Sequence, residues 1–509
     1  MRAERLLPDL FLFRDTCNAW VLRDGAEAIA VDFGSGKWMS HLPKLGIRRL
    51  ARVYLTHGHA DQCAGLLARK AWPFEIHAPV AERAFLDPAE LRAARAATGG
   101  SVCPPSYAPL PRGIPGIRFD LAGFGDCRWG GRKLRFLSTP GHGRGAVSVI
   151  ADVNGRQVAF CGDAAFAGGR LWEPYHLEWH HLHPDGTLAA LEGVRRLAAL
   201  GSDLLCPSHG PAVASGARAE LLKLAARLER LLAARGSACP GEPDRLAGEE
   251  GVDGGFARLS PSLWRFGTNG YLLLSGTGEA LVVDPQERAL PAMDDLLRRL
   301  GGPRLTAAVV THHHLDHCDG VPALRRRGVR AWFHPWVAGW LRRAGSGDDP
   351  WFDKLVPRKP IRGGRAWPVE GRWRWNEYVF DVAPSPGQTW WHCAFMTVVD
   401  GRKVMFSGDN FQPPSRWYGH GGFCAWNTSR PAAGYGRSAR LVLRWKPDLL
   451  ACGHGTAFRF APSHFRKVAA WARDAEEALR GLCVHGDPER DYHAPCARDR
   501  RALAGRRGA

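Results

Sequence analysis

The chain has 509 residues, 45% of them hydrophobic and 23% charged, with a formal net charge of +19. That length exceeds one ordinary core and points to two domains, and the composition is that of a globular protein in water. No apolar run approaches the roughly 18 residues of a membrane span, and the thirteen cysteines follow no disulfide-framework spacing, which fits reduced thiols. Residues 1–13 carry Glu4 and Asp9 and no small-residue cleavage site, so a cytoplasmic protein without a signal peptide or membrane anchor is expected. The basic residues are mostly arginines dispersed along the chain, the pattern of a solvated surface more than of a nucleic-acid partner.

From the N-terminus, residues 16–22 and the run ending Ala30-Val31-Asp32 read as a hairpin of two buried strands. Val53-Tyr54-Leu55 reads as a further strand, passing through Thr56 into His57-Gly58-His59-Ala60-Asp61-Gln62, with a helix starting near Asp61. His-x-His-x-Asp is a metal-ligand pattern, because neutral imidazoles and a carboxylate suit zinc or ferrous iron better than calcium or magnesium. Other short apolar runs end in Ser138-Thr139-Pro140-Gly141-His142, Phe160-Cys161-Gly162-Asp163 and Cys206-Pro207-Ser208-His209-Gly210. Ligands at strand ends converge on one sheet edge, where turns leave room for a metal and a substrate. Leu221, Leu224, Leu228, Leu231 and Leu232 then share one face of an amphipathic helix. Residues 236–257, rich in Gly, Pro and charge, read as a linker.

Beyond that linker the same order repeats. The hairpin recurs over residues 268–284, and Val309-Val310-Thr311-His312-His313-His314-Leu315-Asp316-His317 repeats the first motif. His57 to His312 and His59 to His314 are both 255 residues apart. Pro384-Ser385-Pro386-Gly387-Gln388, Phe406-Ser407-Gly408-Asp409 and Ala451-Cys452-Gly453-His454-Gly455 match the remaining motifs. Phe465, Val468, Ala472, Leu479 and Leu482 give a closing helix its apolar face. The expected domains are therefore 1–235 and 258–482, with a basic tail at 483–509.

This ordered set, present twice, resembles the metallo-β-lactamase fold superfamily of metallo-hydrolases. The resemblance implies an α/β fold, an αββα sandwich, in each of two tandem domains, with one or two Zn²⁺ ions per domain. By it, His57, His59 and His142 hold a first metal; Asp61, the following residue and His209 hold a second; Asp163 bridges. In the second copy the counterparts are His312, His314 and position 388, then Asp316, His317 and His454, with Asp409 bridging. Each copy departs from the pattern once. Gln62 stands where the family has histidine in the second position, and Gln388 replaces the third histidine of the first. Three imidazoles leave one coordination position open for a water that ionises near neutral pH. The expected function is therefore hydrolysis of a small ester, thioester or lactone by the first copy, with Asp61 as catalytic residue orienting the nucleophile or taking its proton. One alternative is an Fe²⁺ enzyme on His57, His142 and Asp163, resembling the superfamily's persulfide dioxygenases. Others are a degenerate binding protein without metal, and a nucleic-acid hydrolase.

Some features have two readings. Asp32 and Asp284 either support the ligand loops or simply form turns. Pro- and Gly-rich sequence between Leu86 and Trp129 is a lid or a surface excursion, and Tyr175, His176, His180 and His181 are pocket-lining or solvated. Trp332, Trp336, Trp340, Trp351, Trp367, Trp373, Trp375, Trp390 and Trp391, interleaved with Arg362, Arg365, Arg372 and Arg374, form an aromatic core in preference to a base-stacking surface. Cys63 and Cys318 face a core. Cys483, His485, His493 and Cys496 are spaced too irregularly for a zinc site.

Overall fold

The computed structural model describes residues 2–97, 110, 112–172, 177, 185–236, 243–249, 252–253, 255–267, 269–343, 359–367, 370–389, 391–416 and 431–484. The chain divides into two compact units, Met1–Ala233 with Ala478–Ala509, and Ala234–Glu477. Each is an αββα sandwich.

In the first unit seven strands pair in sequence order. Ala3–Leu7, Leu10–Arg14, Asn18–Asp24 and Glu27–Val31 form an antiparallel meander. Arg49–Tyr54, Glu75–Pro79 and Ile117–Leu121 continue the sheet in parallel. A second sheet runs from Phe124–Trp129 through Arg132–Ser138 and Val147–Val153 to Arg156–Gly162. Leu204–Pro207 joins it parallel, after the crossover helix Asp185–Leu200. The two-residue period of a strand sorts the core. Leu10, Leu12, Trp20, Leu22, Ile29 and Val31 point between the sheets, against Val149, Phe160 and Leu204. Their neighbours Phe11, Phe13, Val21, Ala28 and Ala30 point the other way, onto Trp38, Leu42 and Leu66 of short helices. Helix Ala217–Gly236 buries Leu221, Leu224, Leu228 and Leu231.

The second unit repeats this plan with eight and six strands. Gly270–Leu274 and Glu279–Val283 are the repeated hairpin, and Arg304–Val310 leads into its first motif. The region read as a linker contributes to this unit: Val252–Asp253 pairs as an edge strand with Phe256–Ser260, and Ala247 donates its N–H to the Ala457 carbonyl. Hydropathy and turn residues do not reveal such pairing, because edge strands need no apolar face. Trp367, Trp373 and Trp375 are buried in the inter-sheet core, with Trp332 packed against it and the Arg365 guanidinium 5.4 Å from the Trp332 ring. Trp332, Trp367, Trp373 and Trp375 thus serve packing, as the aromatic-core reading expects. Trp351, Trp390, residues 98–109, Tyr175, His176, His180, His181, His485, His493 and Cys496 lie outside the described residues.

The duplication extends to backbone strain. Asp32 and Asp284 both adopt left-handed φ, 59° and 51°, as do Gly162 and Gly408, at 56° and 49°. A Cβ on Gly162 would stand 2.8 Å from Thr56 Oγ1, and one on Gly408 would stand 2.6 Å from Thr311 Oγ1. The left-handed backbone alone costs a non-glycine residue about 1–2 kcal/mol. Gly162→Ala and Gly408→Ala are each predicted to lower stability by at least that amount in urea unfolding; unchanged midpoints would contradict this packing.

Candidate metal centres

In the first unit the ligand motifs all lie at one end of the sandwich. Arg49–Tyr54 delivers His57 and His59, and His59 is the N-cap of helix Ala60–Cys63. Arg132–Ser138 precedes His142, Arg156–Gly162 delivers Asp163, and Leu204–Pro207 delivers His209. One nitrogen from each of His57, His59 and His142 lies within 4.8 Å of the others, and Asp61, Asp163 and His209 form a second such group. Asp163 lies between them, with Oδ2 3.2 Å from His142 Nε2, 3.7 Å from His57 Nε2 and 3.6 Å from His209 Nε2. Gln62 fills the space of the missing histidine. Its Nε2 donates to Asp61 Oδ2 at 3.0 Å and to Asp163 Oδ2 at 3.5 Å.

Asp32 supports this loop from behind. Its carboxylate accepts the Thr56 N–H at 2.8 Å, the Thr56 hydroxyl at 2.9 Å and the Ser208 hydroxyl at 2.9 Å. Because Thr56 Oγ1 donates to Asp32, it accepts from His57 Nδ1, 2.9 Å away, leaving the His57 Nε2 lone pair facing the cluster. That Nε2 is buried and has no hydrogen-bond partner among the described residues. A buried acceptor left unmatched is costly unless something coordinates it, so the residues fit a cation here. Burial holds the His57 imidazole well below its ordinary pKa and takes His59 down to about 4, the neutral forms that ligate.

The second unit has the same frame with a different charge balance. Asp284 accepts the Thr311 N–H and hydroxyl, both at 2.7 Å, and pairs with His317 Nδ1 at 2.9 Å. His312, His314 and Asp409 form one group, and Asp316, His317 and His454 another. His312 Nε2 is buried with no hydrogen-bond partner among the described residues, and His317 Nε2 faces the Asp409 and Asp316 carboxylates, so this unit fits a cation too. Asp409 Oδ1 lies 3.1 Å from His317 Nε2, and Asp409 Oδ2 lies 3.2 Å from His454 Nε2. The Asp409 carboxylate beside it raises His454 to about 10. Gln388 Nε2 donates to Asp409 Oδ2 at 2.8 Å. Each of the twelve proposed ligands thus falls into one of four groups, two per unit.

Other residues belong to these sites without a motif to mark them. Glu82 is buried and accepts the N–H of Gly145 at 2.8 Å and that of Gly58, joining the His57–His59 loop to the loop after His142. Gly58, Gly143 and Gly145 leave room for it, since a Cβ on any of them would stand 3.0 Å from a Glu82 atom, tighter than ordinary contact. Trp172 stacks on His209 with ring centroids 4.8 Å apart. Asn269 donates to Asp316 Oδ2 at 2.6 Å and accepts the His454 N–H at 3.2 Å. His392 stacks on His312 at 4.7 Å. A lone polar residue in an apolar run gives no sequence signal of this kind.

The family model described as the metallo-beta-lactamase superfamily matches residues 12–209 and again 263–454. The chain belongs to the metallo-beta-lactamase superfamily, whose model it matches twice in one polypeptide. It is similar to the hydroxyacylglutathione hydrolase of Albidiferax ferrireducens, 30% identical over 35% of this chain and 59% of that protein. The hydroxyacylglutathione hydrolase of Stenotrophomonas maltophilia is 32% identical over 28% of this chain and 44% of its own length. The chain therefore spans about half the length of these two relatives. Among solved structures, a metallo-beta-lactamase of Cronobacter sakazakii aligns with 46% of this chain and 95% of its own, at 19% identity and a TM-score of 0.37.

Glu82→Ala is predicted to weaken zinc binding by the first unit about 10- to 100-fold, the usual effect of removing a group that holds ligand loops. Chelator competition measures it, and an affinity within twofold of the unaltered protein would contradict the role given to Glu82.

Proposed function

We propose that the first unit is a metal-dependent hydrolase of small acyl thioesters. The observation that carries this reading is the cluster of three imidazoles, His57, His59 and His142, beside two carboxylates. Bound there, zinc would supply Lewis acidity toward the scissile carbonyl and would lower the pKa of an attacking water. Asp61 is held as the carboxylate: burial alone would raise its pKa, but the hydrogen bond and charge of His209 lower it further. In that state it can orient a water or accept its proton. His209 is fixed by Trp172 on one side and by Asp61, 2.9 Å from its Nε2. Pro140, His142, Asp163, Ala164, Leu171 and Leu177 line a narrow recess beside the cluster. The names of the two hydroxyacylglutathione hydrolases support a thioester over a lactone or a simple ester.

A second reading has one observation in its favour. Asp163 reaches both His57 and His142, and two histidines with one carboxylate is also the ligand set of mononuclear iron oxygenases. Metal analysis separates them, since iron with oxygen uptake would replace the hydrolase reading.

The zinc-loaded full chain is expected to release thiol from hydroxyacyl-glutathione. Asp61→Asn is expected to cut that rate by about 100-fold or more, the contribution of a positioned general base, with zinc content unchanged. Equal turnover in the variant would remove Asp61 from the mechanism, and no thiol release by the unaltered chain would remove the thioester. Chelation of the unaltered protein is expected to lower its melting temperature, because a ligand bound only by the folded state stabilises it; an unchanged melting temperature would favour a protein without metal.

A further inference from the structure

The two glutamines that break the ligand pattern are each built in by further substitutions around them. In the second unit His317 Nδ1 bonds Asp284 Oδ2. In the first unit the matching residue is Gln62, which does not bond Asp32, and the Ser208 hydroxyl meets Asp32 Oδ2 instead. Ser208 and Gly453 are equivalent: their N–H groups donate to the Gly162 and Gly408 carbonyls at the same distance, 2.8 Å. A Cβ at Gly453 would stand 2.0 Å from Asp409 Oδ1 and 3.1 Å from His317 Cε1. So histidine goes with glycine, and glutamine with serine.

The other position shows the same coupling. His142 of the first unit corresponds to Gln388, whose backbone N–H donates to Asn410 Oδ1 at 2.9 Å and whose Nε2 donates to Asp409. Asn410 Nδ2 in turn bonds Ser385. The counterpart of Asn410 in the first unit is Ala164, directly after Asp163. His392, stacked on His312, corresponds to Ala146: the Ser385 N–H bonds the His392 carbonyl as the Thr139 N–H bonds that of Ala146. In both units a neutral amide N–H₂ thus hydrogen-bonds the bridging carboxylate from the side of the altered position.

We propose that each unit holds a single metal ion and that the two ions occupy opposite positions. The first unit would use His57, His59 and His142. The second would use Asp316, His317 and His454 with Asp409. The Gln62 and Gln388 amides take the place of the ion each unit has given up, and each donates an uncharged hydrogen bond to the bridging carboxylate. The proposal rests on the reading of these clusters as metal sites, but not on any activity.

The test is metal counting on the full chain, stripped of metal, dialysed against zinc(II) and freed of excess, by mass spectrometry of the metal. Two zinc ions per chain are expected. His57→Ala and His317→Ala should each leave one, and the two together none. Gln62→His combined with Ser208→Gly, which restores the pairing seen in the second unit, should give three. Three or four ions in the unaltered chain would overturn the proposal, because the glutamines would then be ligands. So would loss of both ions on either single alanine substitution. A double variant that melts as the unaltered protein does and still holds two would also overturn it; if that variant fails to fold, the unaltered and alanine counts decide alone. Failure of the thioester reading would appear separately, as absent thiol release at any metal count.

Discussion

The sites depend on one buried carboxylate per unit, placed at the end of an early strand in a left-handed backbone. Asp32 receives the backbone and hydroxyl of Thr56 and the hydroxyl of Ser208; Asp284 receives the corresponding groups of Thr311 and a nitrogen of His317. Burial pushes Asp32 up to about 7, against the pull of those donors. The arrangement costs backbone strain and desolvation, and it persists because the sandwich around it is packed on both faces. In return it sets the tautomer of the first histidine in each cluster. Without that anchor the ligand loops would have no fixed end.

How much of this was legible before any coordinates depended on what each residue must do. Metal ligands come from few residue types, so His57, His59, Asp61, His142, Asp163 and His209 stood out, and the repeat at constant spacing made both units readable; their sandwich fold came from the family resemblance those motifs carry. Asp32 and Asp284 were visible as strand-ending acids, but their role needed distances. Glu82 was hidden because an acid inside an apolar helix run normally signals a solvated face; here three glycines make room for it. Trp172, Asn269 and His392 were hidden for a similar reason, since packing partners carry no fixed spacing. The short strand Val252–Asp253 was lost in a stretch whose Gly, Pro and charge read as linker.

Duplication explains why the departures matter. Two copies of one site, in one chain and one solvent, differ mainly at the glutamines and the residues touching them. The first unit brings the imidazoles of His57, His59 and His142 together, while the second gathers Asp316 and Asp409 around His317 and His454. An imidazole-rich set leaves a bound metal more Lewis-acidic than a carboxylate-rich one. In the proposed function that difference places catalysis in the first unit, and in the proposed occupancy the second would hold its metal chiefly by charge.

Anomalous diffraction from crystals of the zinc-loaded full chain is the most direct measurement of the claim that distant segments converge on one ion. The account predicts a strong peak within coordination distance, about 2.0–2.1 Å, of one nitrogen from each of His57, His59 and His142. A map with no peak at those imidazoles, in crystals whose zinc content is confirmed, would contradict it.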